Sequence, residues 1–405
     1  MKEILRHFPS EILEQAAERY GTPLYLYSEK LLERQADTYI NAFRKIPTIF
    51  CYAMKANSCG RFCSVLAKKG FGADAVSGGE IFRALRAGFP AERIVFSGTG
   101  KTEAELEYAA RSGILFINAE NAEELRILEE ICRRIETKCR ISVRVNPEVD
   151  PHTHKYISTG MYGSKFGVSF SEALEMYGFA ARSEWLAPVG IHFHIGSQIQ
   201  SAEPYILAAE KIRSFITEIE AKTGISLEYA DIGGGWGAVE GEEMPDPTAI
   251  LPAAELLAAS GKKIILEPGR SIAAPCGVLL AKVLYIKKSG GRNIIITDCG
   301  MNDFVRPALY GAEHPVIAVG NCDKTMKYDI AGPVCESSDF VARNVELPEM
   351  RRGDLIAILS AGAYGFSMSS NYNSRTRAAE AIIIGSEIIL ARRRESFEDI
   401  IRSEY

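Results

Sequence analysis

The sequence predicts an α/β protein, a parallel (β/α)₈ barrel followed by a C-terminal antiparallel β domain. Over about 250 residues, short β-prone runs alternate about eight times with helix-like segments, the count of such a barrel. The residue just past nearly every run is polar or glycine, as in a ring of loops around one site at the carboxyl face of a barrel. After Pro275 the helical segments stop and β-rich runs succeed one another. Spacing alone leaves a doubly wound open sheet as the alternative.

In chain order the barrel strands and the residues that follow them are Thr48 to Met54 with Lys55, Gly72 to Val76 with Ser77, and Arg93 to Phe96 with Ser97. Next come Ile114 to Ile117 with Asn118, Arg140 to Val145 with Asn146, Val189 to Ile195 with Ser197, and Leu227 to Ile232 with Gly233. The eighth is Lys263 to Leu266, which ends at Glu267. Helical periodicity fills the intervals at Glu80 to Ala87, Glu103 to Ala110, Ala122 to Arg134, Ser171 to Ala180, Ala202 to Lys222 and Pro247 to Ala259. The later β runs are Val278 to Lys287, Asn293 to Thr297, Pro315 to Ala318, Lys327 to Ile330, Asp354 to Leu359 and Ala379 to Ile384. These patterns predict a barrel over 22–275 and a β domain made of 1–21 plus 276–405.

The 405 residues, 47% hydrophobic and 24% charged, suffice for one large domain and a smaller one. A net charge of -5 offers no general attraction for nucleic acid or an anionic membrane surface. No apolar stretch has membrane-spanning length and the first residues read as an amphipathic segment, so the expected location is cytoplasmic. Nine cysteines without a CxxC pair read as reduced thiols, most of them core packing.

The chemistry starts from CYAMKANS, where Lys55 stands at the end of an apolar strand. An ammonium held poorly hydrated at the rim of a core is disposed to lose its proton and attack a carbonyl. DIGGGWG, Asp231 to Gly237, follows the seventh strand, and its glycines let backbone amides approach an anion; a simple tight turn is the alternative. EPGRS places Glu267 and Arg270 at the eighth strand end, where they could also pair with each other. HFHIGSQ sets His192 and His194 on one face of the sixth strand. They could bind metal, but no further ligand set supports one and none is expected; one imidazole could instead be a platform for a planar ring, or a core histidine. One ligand satisfies all these parts. Pyridoxal 5'-phosphate needs an amine for its aldehyde (Lys55), an anion cradle for its phosphate and a carboxylate for its ring nitrogen (Glu267).

With these residues in place, YAMKANS, SGGE, FSGTGK, ISTGMYGSKFG, HFHIGSQ, DIGGGWG, EPGR, RPALYGA, CESSD and AGAYGFSMSSNYNSR, in this order, resemble the meso-diaminopimelate decarboxylases. The likeness runs from about Tyr20 to about Ala379. That family belongs to the fold-type III pyridoxal-phosphate enzymes (group IV decarboxylases), with an alanine-racemase-like barrel, a β domain and homodimers that share active sites. The resemblance implies that Lys55 carries the cofactor, His194 stacks on its ring and Glu267 meets its nitrogen. Ser197, Gly234, Gly235, Gly269, Arg270 and Tyr364 would lie around the cofactor or its phosphate. It further assigns Arg270, Arg306 and Tyr310, with Tyr364 nearby, to the substrate, the first three at its distal carboxylate. Glu336 falls to the distal ammonium, and Cys335 to protonation across a dimer interface. One departure is Thr376 in SRTR, where the family often has proline, which touches only local loop shape.

The implied reaction is decarboxylation of meso-2,6-diaminopimelate at its D-centre to L-lysine. Ornithine, arginine or lysine decarboxylases share the fold, but their substrates lack the second carboxylate that Arg306 and Tyr310 would meet. A non-catalytic cofactor-binding homologue would keep Lys55 and lose the acid and substrate residues, which are present here.

Overall fold

A computed structural model describes residues 2–150, 165–238, 246–320 and 325–404. ISTGMYGSKFG spans 157–167, and its part from 157 to 164 lies outside the described residues. The chain forms two compact units, one gathering Met1–Arg34 with Arg270–Tyr405 and the other Gln35–Gly237 with Pro245–Gly269.

Strand β1 (Leu24–Ser28) belongs to the first of these units, where it pairs antiparallel with β10 (Gly277–Ser289) and parallel with β16 (Ala379–Ile384). Eight strands make the barrel: β2 (Thr48–Ala53), β3 (Gly72–Ala75), β4 (Ile94–Phe96), β5 (Phe116–Ala119), β6 (Cys139–Arg144), β7 (Leu186–His192), β8 (Tyr229–Asp231) and β9 (Lys263–Leu266). All neighbours are parallel, and β9 returns to β2 to close the ring. Buried Cys51, Val95, Phe116, Tyr229 and Ile265, from five different strands, form one core cluster, which is the packing that fills such a barrel.

Helices between the strands begin where short polar side chains cap them. Ser77 accepts the Glu80 amide ahead of the helix Gly78–Ala87, and Thr102 with Glu105 forms a capping box for Glu103–Arg111. Ser77 is therefore a cap, although the sequence ranks it with the ring of mouth residues. Asn118 likewise lies inside β5, fully buried, and its side-chain amide donates to Ser97 Oγ at 3.0 Å.

The other unit holds a nine-stranded sheet. Besides β1, β10 and β16 it contains β11 (Arg292–Thr297), β12 (Val316–Ala318), β13 (Thr325–Ala331), β14 (Phe340–Pro348), β15 (Leu355–Ile358) and β17 (Glu387–Arg392). Its path runs β14-β13-β11-β10-β1-β16-β17, with β15 joining β10 and β12. The sequence predicts this sheet as antiparallel, whereas β11–β13 and β1–β16 are parallel pairs. Among the described residues no helix is long and apolar enough to cross a membrane.

Candidate active site

Lys55 follows β2 at the carboxyl end of the barrel, and its Nζ donates to Asp74 Oδ2 at 2.7 Å. The Asp74 side chain is fully buried while that of Lys55 is 37% exposed, so the ammonium sits on a carboxylate and not bare at a core rim as the sequence suggests. Burial and the nearby Glu267 push the Asp74 carboxyl up, against the pull of Lys55. Sequence reasoning missed Asp74; its only signal is a lone acid inside an apolar barrel strand. Glu80, from SGGE, accepts the Val76 amide at 2.8 Å, and burial pushes its carboxyl up to about 7.

The two histidines of HFHIGSQ occupy different surroundings. His192 ends β7 inside the barrel, with Nε2 3.5 Å from Glu267 Oε2. His194 is half-buried, and its Nδ1 accepts the Gly234 amide at 3.0 Å. Burial first, then Arg144 and Lys55, drives its proton affinity well below the ordinary imidazole value. His194 is thus a neutral flat ring whose orientation is fixed by a backbone donor.

The glycine loop is shaped by close approach. A Cβ at Gly234 would stand 2.2 Å from the Glu267 carbonyl oxygen, and one at Gly235 2.0 Å from that of Gly196. Gly235 also has φ +98°, a conformation that side chains rarely adopt. Tyr205, another residue the sequence did not flag, donates its hydroxyl to the Gly234 carbonyl at 2.9 Å and so fixes the loop from its buried side. Since the Gly234 amide is spent on His194, Gly235 is the loop amide that donates to no protein group among the described residues. Half-buried Ser197 follows the same strand as His194, and at Gly269 a Cβ would meet that of Ala53 at 2.9 Å.

The remaining predicted residues lie in the other unit. The guanidinium carbon of Arg270 sits 4.6 Å from the ring centre of Tyr364, a cation–π contact. Arg306 is 4% exposed, which rules out a plain surface turn at Pro307. Its Nε donates to His314 Nε2 at 3.1 Å, while His314 Nδ1 lies 3.0 Å from the Leu359 carbonyl oxygen. A guanidinium only donates and a carbonyl only accepts, so His314 is the neutral tautomer with its proton on Nδ1. Nothing in the sequence marks this histidine as the support of Arg306. Tyr310, 41% exposed, ends the short helix Arg306–Tyr310. Cys335 and Glu336 are exposed, with the Cys335 amide donating to Asn373 Oδ1 at 2.9 Å. Among the described residues no hydrogen bond or ion pair joins either of them to Arg270, Arg306 or Tyr364.

Burial and the adjacent Arg306 lower His314 from 6.5 to about 3. Because the folded value is depressed, the unfolded chain takes up a proton that the folded one refuses; stability is fully present above about 6.5 and falls as pH drops toward about 3. The slope from this group is at most ~1.4 kcal/mol per pH unit. Urea midpoints measured between pH 7 and 5 should therefore fall more steeply for the wild type than for His314→Gln. Parallel profiles would mean that His314 titrates as in a free chain.

Residues 29–274 match the pyridoxal-binding domain of the pyridoxal-dependent decarboxylases. A diaminopimelate decarboxylase of Aquifex aeolicus (strain VF5) is 46% identical over 394 residues, covering 96% of this chain and 93% of the relative. The chain belongs to the diaminopimelate decarboxylase family. A second member, from Zymomonas mobilis, is 43% identical over 97% of this chain and 94% of its own length. The crystal structure of diaminopimelate decarboxylase from Helicobacter pylori complexed with L-lysine superposes with a TM-score of 0.92 at 44% identity, covering 96% of this chain and 98% of that one.

The barrel residues fit the cofactor of the diaminopimelate decarboxylases. Lys55 provides a reachable amine, and Glu267 Oε1 is a buried acceptor without a hydrogen-bond partner among the described residues. At Gly234 and Gly235 the loop backbone packs against the Glu267 and Gly196 carbonyls with no room for a Cβ, and among the described residues the Gly235 amide is left to meet an anion. Gly235→Ala is expected to displace the loop from Gly196 and weaken pyridoxal phosphate retention at least about 10-fold, a loss of the order of one charge-assisted hydrogen bond. Equilibrium dialysis of the variant measures this, and unchanged affinity would remove the loop from the binding site.

Proposed function

We propose that this enzyme cleaves the bond between the D-centre of meso-2,6-diaminopimelate and its carboxylate, releasing carbon dioxide and placing one proton on the vacated position to give L-lysine. This is the closing step of lysine biosynthesis by the diaminopimelate route. The observation that carries the reading is the 46% identity to a diaminopimelate decarboxylase over 96% of the chain.

Bound pyridoxal phosphate supplies an electron sink for the pair left by the departing carboxylate. Lys55 holds the cofactor, and Asp74 anchors the ammonium at Nζ whenever that amine is free. Neutral His194 offers its ring face without adding charge, while Glu267 Oε1 accepts from the ring nitrogen. Ser197, Gly235 and Gly269 surround the phosphate with small groups, with Gly234 turning the loop. Arg270 and Tyr364 border the cofactor and the substrate. Arg306, aimed by His314, joins Arg270 and Tyr310 in binding the distal carboxylate, a pairing that charged hydrogen bonds favour. Glu336 meets the distal ammonium, and Cys335 delivers the proton from Sγ.

The exposed position of Cys335 and Glu336 supports a homodimer in which they complete the neighbouring subunit's site. Eight free cysteines among the described residues support a reducing, cytoplasmic location. The activity is tested by incubating the purified protein with meso-, LL- and DD-diaminopimelate, lysine and ornithine, with carbon dioxide and products measured; release only from the meso isomer is expected. Sharing of sites is tested by mixing Lys55→Ala with Cys335→Ala protein under subunit exchange. Hybrid dimers contain one intact site and should recover activity, whereas no recovery despite exchange would mean that each site is built from one chain.

A further inference from the structure

HFHIGSQ contains a second histidine for which the proposed reaction has no role. His192 pairs with Asp231 across β7 and β8, and Asp231 pairs with Ile265 across β8 and β9, so Glu267, two residues beyond Ile265, faces the same interior. One nitrogen or oxygen of each of His192, Asp231 and Glu267 lies within 4.8 Å of the others, and all three residues are buried. Asp231 Oδ1 accepts the Gly233 amide at 2.9 Å. Among the described residues the second oxygen of Asp231, Glu267 Oε1 and both ring nitrogens of His192 meet no hydrogen-bond partner, although His192 Nε2 is 3.5 Å from Glu267 Oε2. Asp74 and Lys55 act on the same cluster.

We propose that His192 is a positioning residue for Glu267: from behind the carboxylate it engages Oε2 through its own Nε2, which leaves Oε1 as the acceptor for the cofactor's ring nitrogen. The inference rests on the reading that Glu267 meets that nitrogen. Three buried carboxyl groups, Asp74, Asp231 and Glu267, act on one another, and Lys55 pulls on Asp74 and Glu267, so the charge must be apportioned among them. Burial, then Glu267, pushes the Asp231 carboxyl up. Burial would push Glu267 up as well, but His192 first and Lys55 next hold it below the usual carboxylate range. His192 thus acts on Glu267 in the direction opposite to burial, and an ionised carboxylate is what keeps a protonated ring nitrogen next to it.

Two variants isolate the contact. Glutamine can present an amide near the place of imidazole Nε2, whereas asparagine reaches only the place of Nδ1. In the holoenzyme, His192→Asn is expected to lower kcat about 10- to 100-fold with KM changed less than about threefold, to shift the visible absorption band of the bound cofactor, and to weaken its retention in dialysis. His192→Gln should restore most of all three. Glu267→Gln should show the same signature, and the double variant with His192→Asn should lose no more than Glu267→Gln alone. If Glu267→Gln leaves spectrum and kcat unchanged, the reading of Glu267 fails and the inference falls with it. If Glu267→Gln has its effect while His192→Asn alters only thermal stability, His192 is structural and the inference alone is overturned. A stoichiometric metal ion found in the purified enzyme and lost in His192→Asn would also overturn it.

Discussion

Lys55→Ala is expected to lower turnover by at least about 10⁴-fold, or ~5 kcal/mol of barrier, and to leave pyridoxal phosphate only loosely held. Among the described residues no other amine lies on Asp74, where the Lys55 ammonium is 2.7 Å from a fully buried oxygen. Removing it also leaves Asp74 without its cation. The carboxyl, already pushed up by burial, should take up a proton, so the structural penalty should shrink in Lys55→Ala with Asp74→Asn while activity stays absent. Borohydride treatment of the wild-type holoenzyme followed by peptide mapping should locate the cofactor on Lys55. A label on any other lysine removes the assignment.

Cys335→Ala is expected to lose about 10² to 10⁴ in rate, ~3 to 5 kcal/mol, the usual cost of removing a general acid. Cys335 is exposed and its backbone amide is tied to Asn373, so the substitution should leave folding and cofactor content intact. Glu336→Ala should instead raise KM with a smaller effect on kcat, because an anion that binds a remote ammonium contributes to ground state and transition state alike. A Cys335→Ala enzyme with the wild-type rate and unchanged product stereochemistry would assign the proton to another group.

The barrel is legible because a parallel strand covered on both faces reads as a short apolar run that ends at a loop, and Lys55 and Glu267 stand at such ends. The same property hides β1. Its five residues are all buried and a helix starts directly at Glu29, so neither alternation nor a turn marks it, and its partners lie 250 or more residues away in β10 and β16. Strand β14 escapes for the opposite reason, since its stretch through Arg343 and Asn344 is exposed and carries no apolar pattern. Ser77 shows how a polar residue at a strand end can be consumed by local structure, here a helix cap.

Among the site residues, those that belong to a contiguous motif could be found, whereas those defined by a partner could not. Asp74 acquires meaning only when β2 and β3 bring it to Lys55, and His314 only when its ring lies between Arg306 and the Leu359 carbonyl. His192 was visible as a residue, but its difference from His194 depends on where β7 ends: one side chain is enclosed with Glu267 and the other meets the glycine loop.

The central claim is tested most directly with meso-diaminopimelate labelled in one carboxylate at a time, turned over by the purified enzyme in deuterated water. The account predicts that label at the D-centre leaves as carbon dioxide, that label at the L-centre stays in L-lysine, and that the lysine carries one solvent deuterium at the carbon that lost its carboxylate. Release of the L-centre label, or no release from this substrate while ornithine or lysine is decarboxylated, would contradict it.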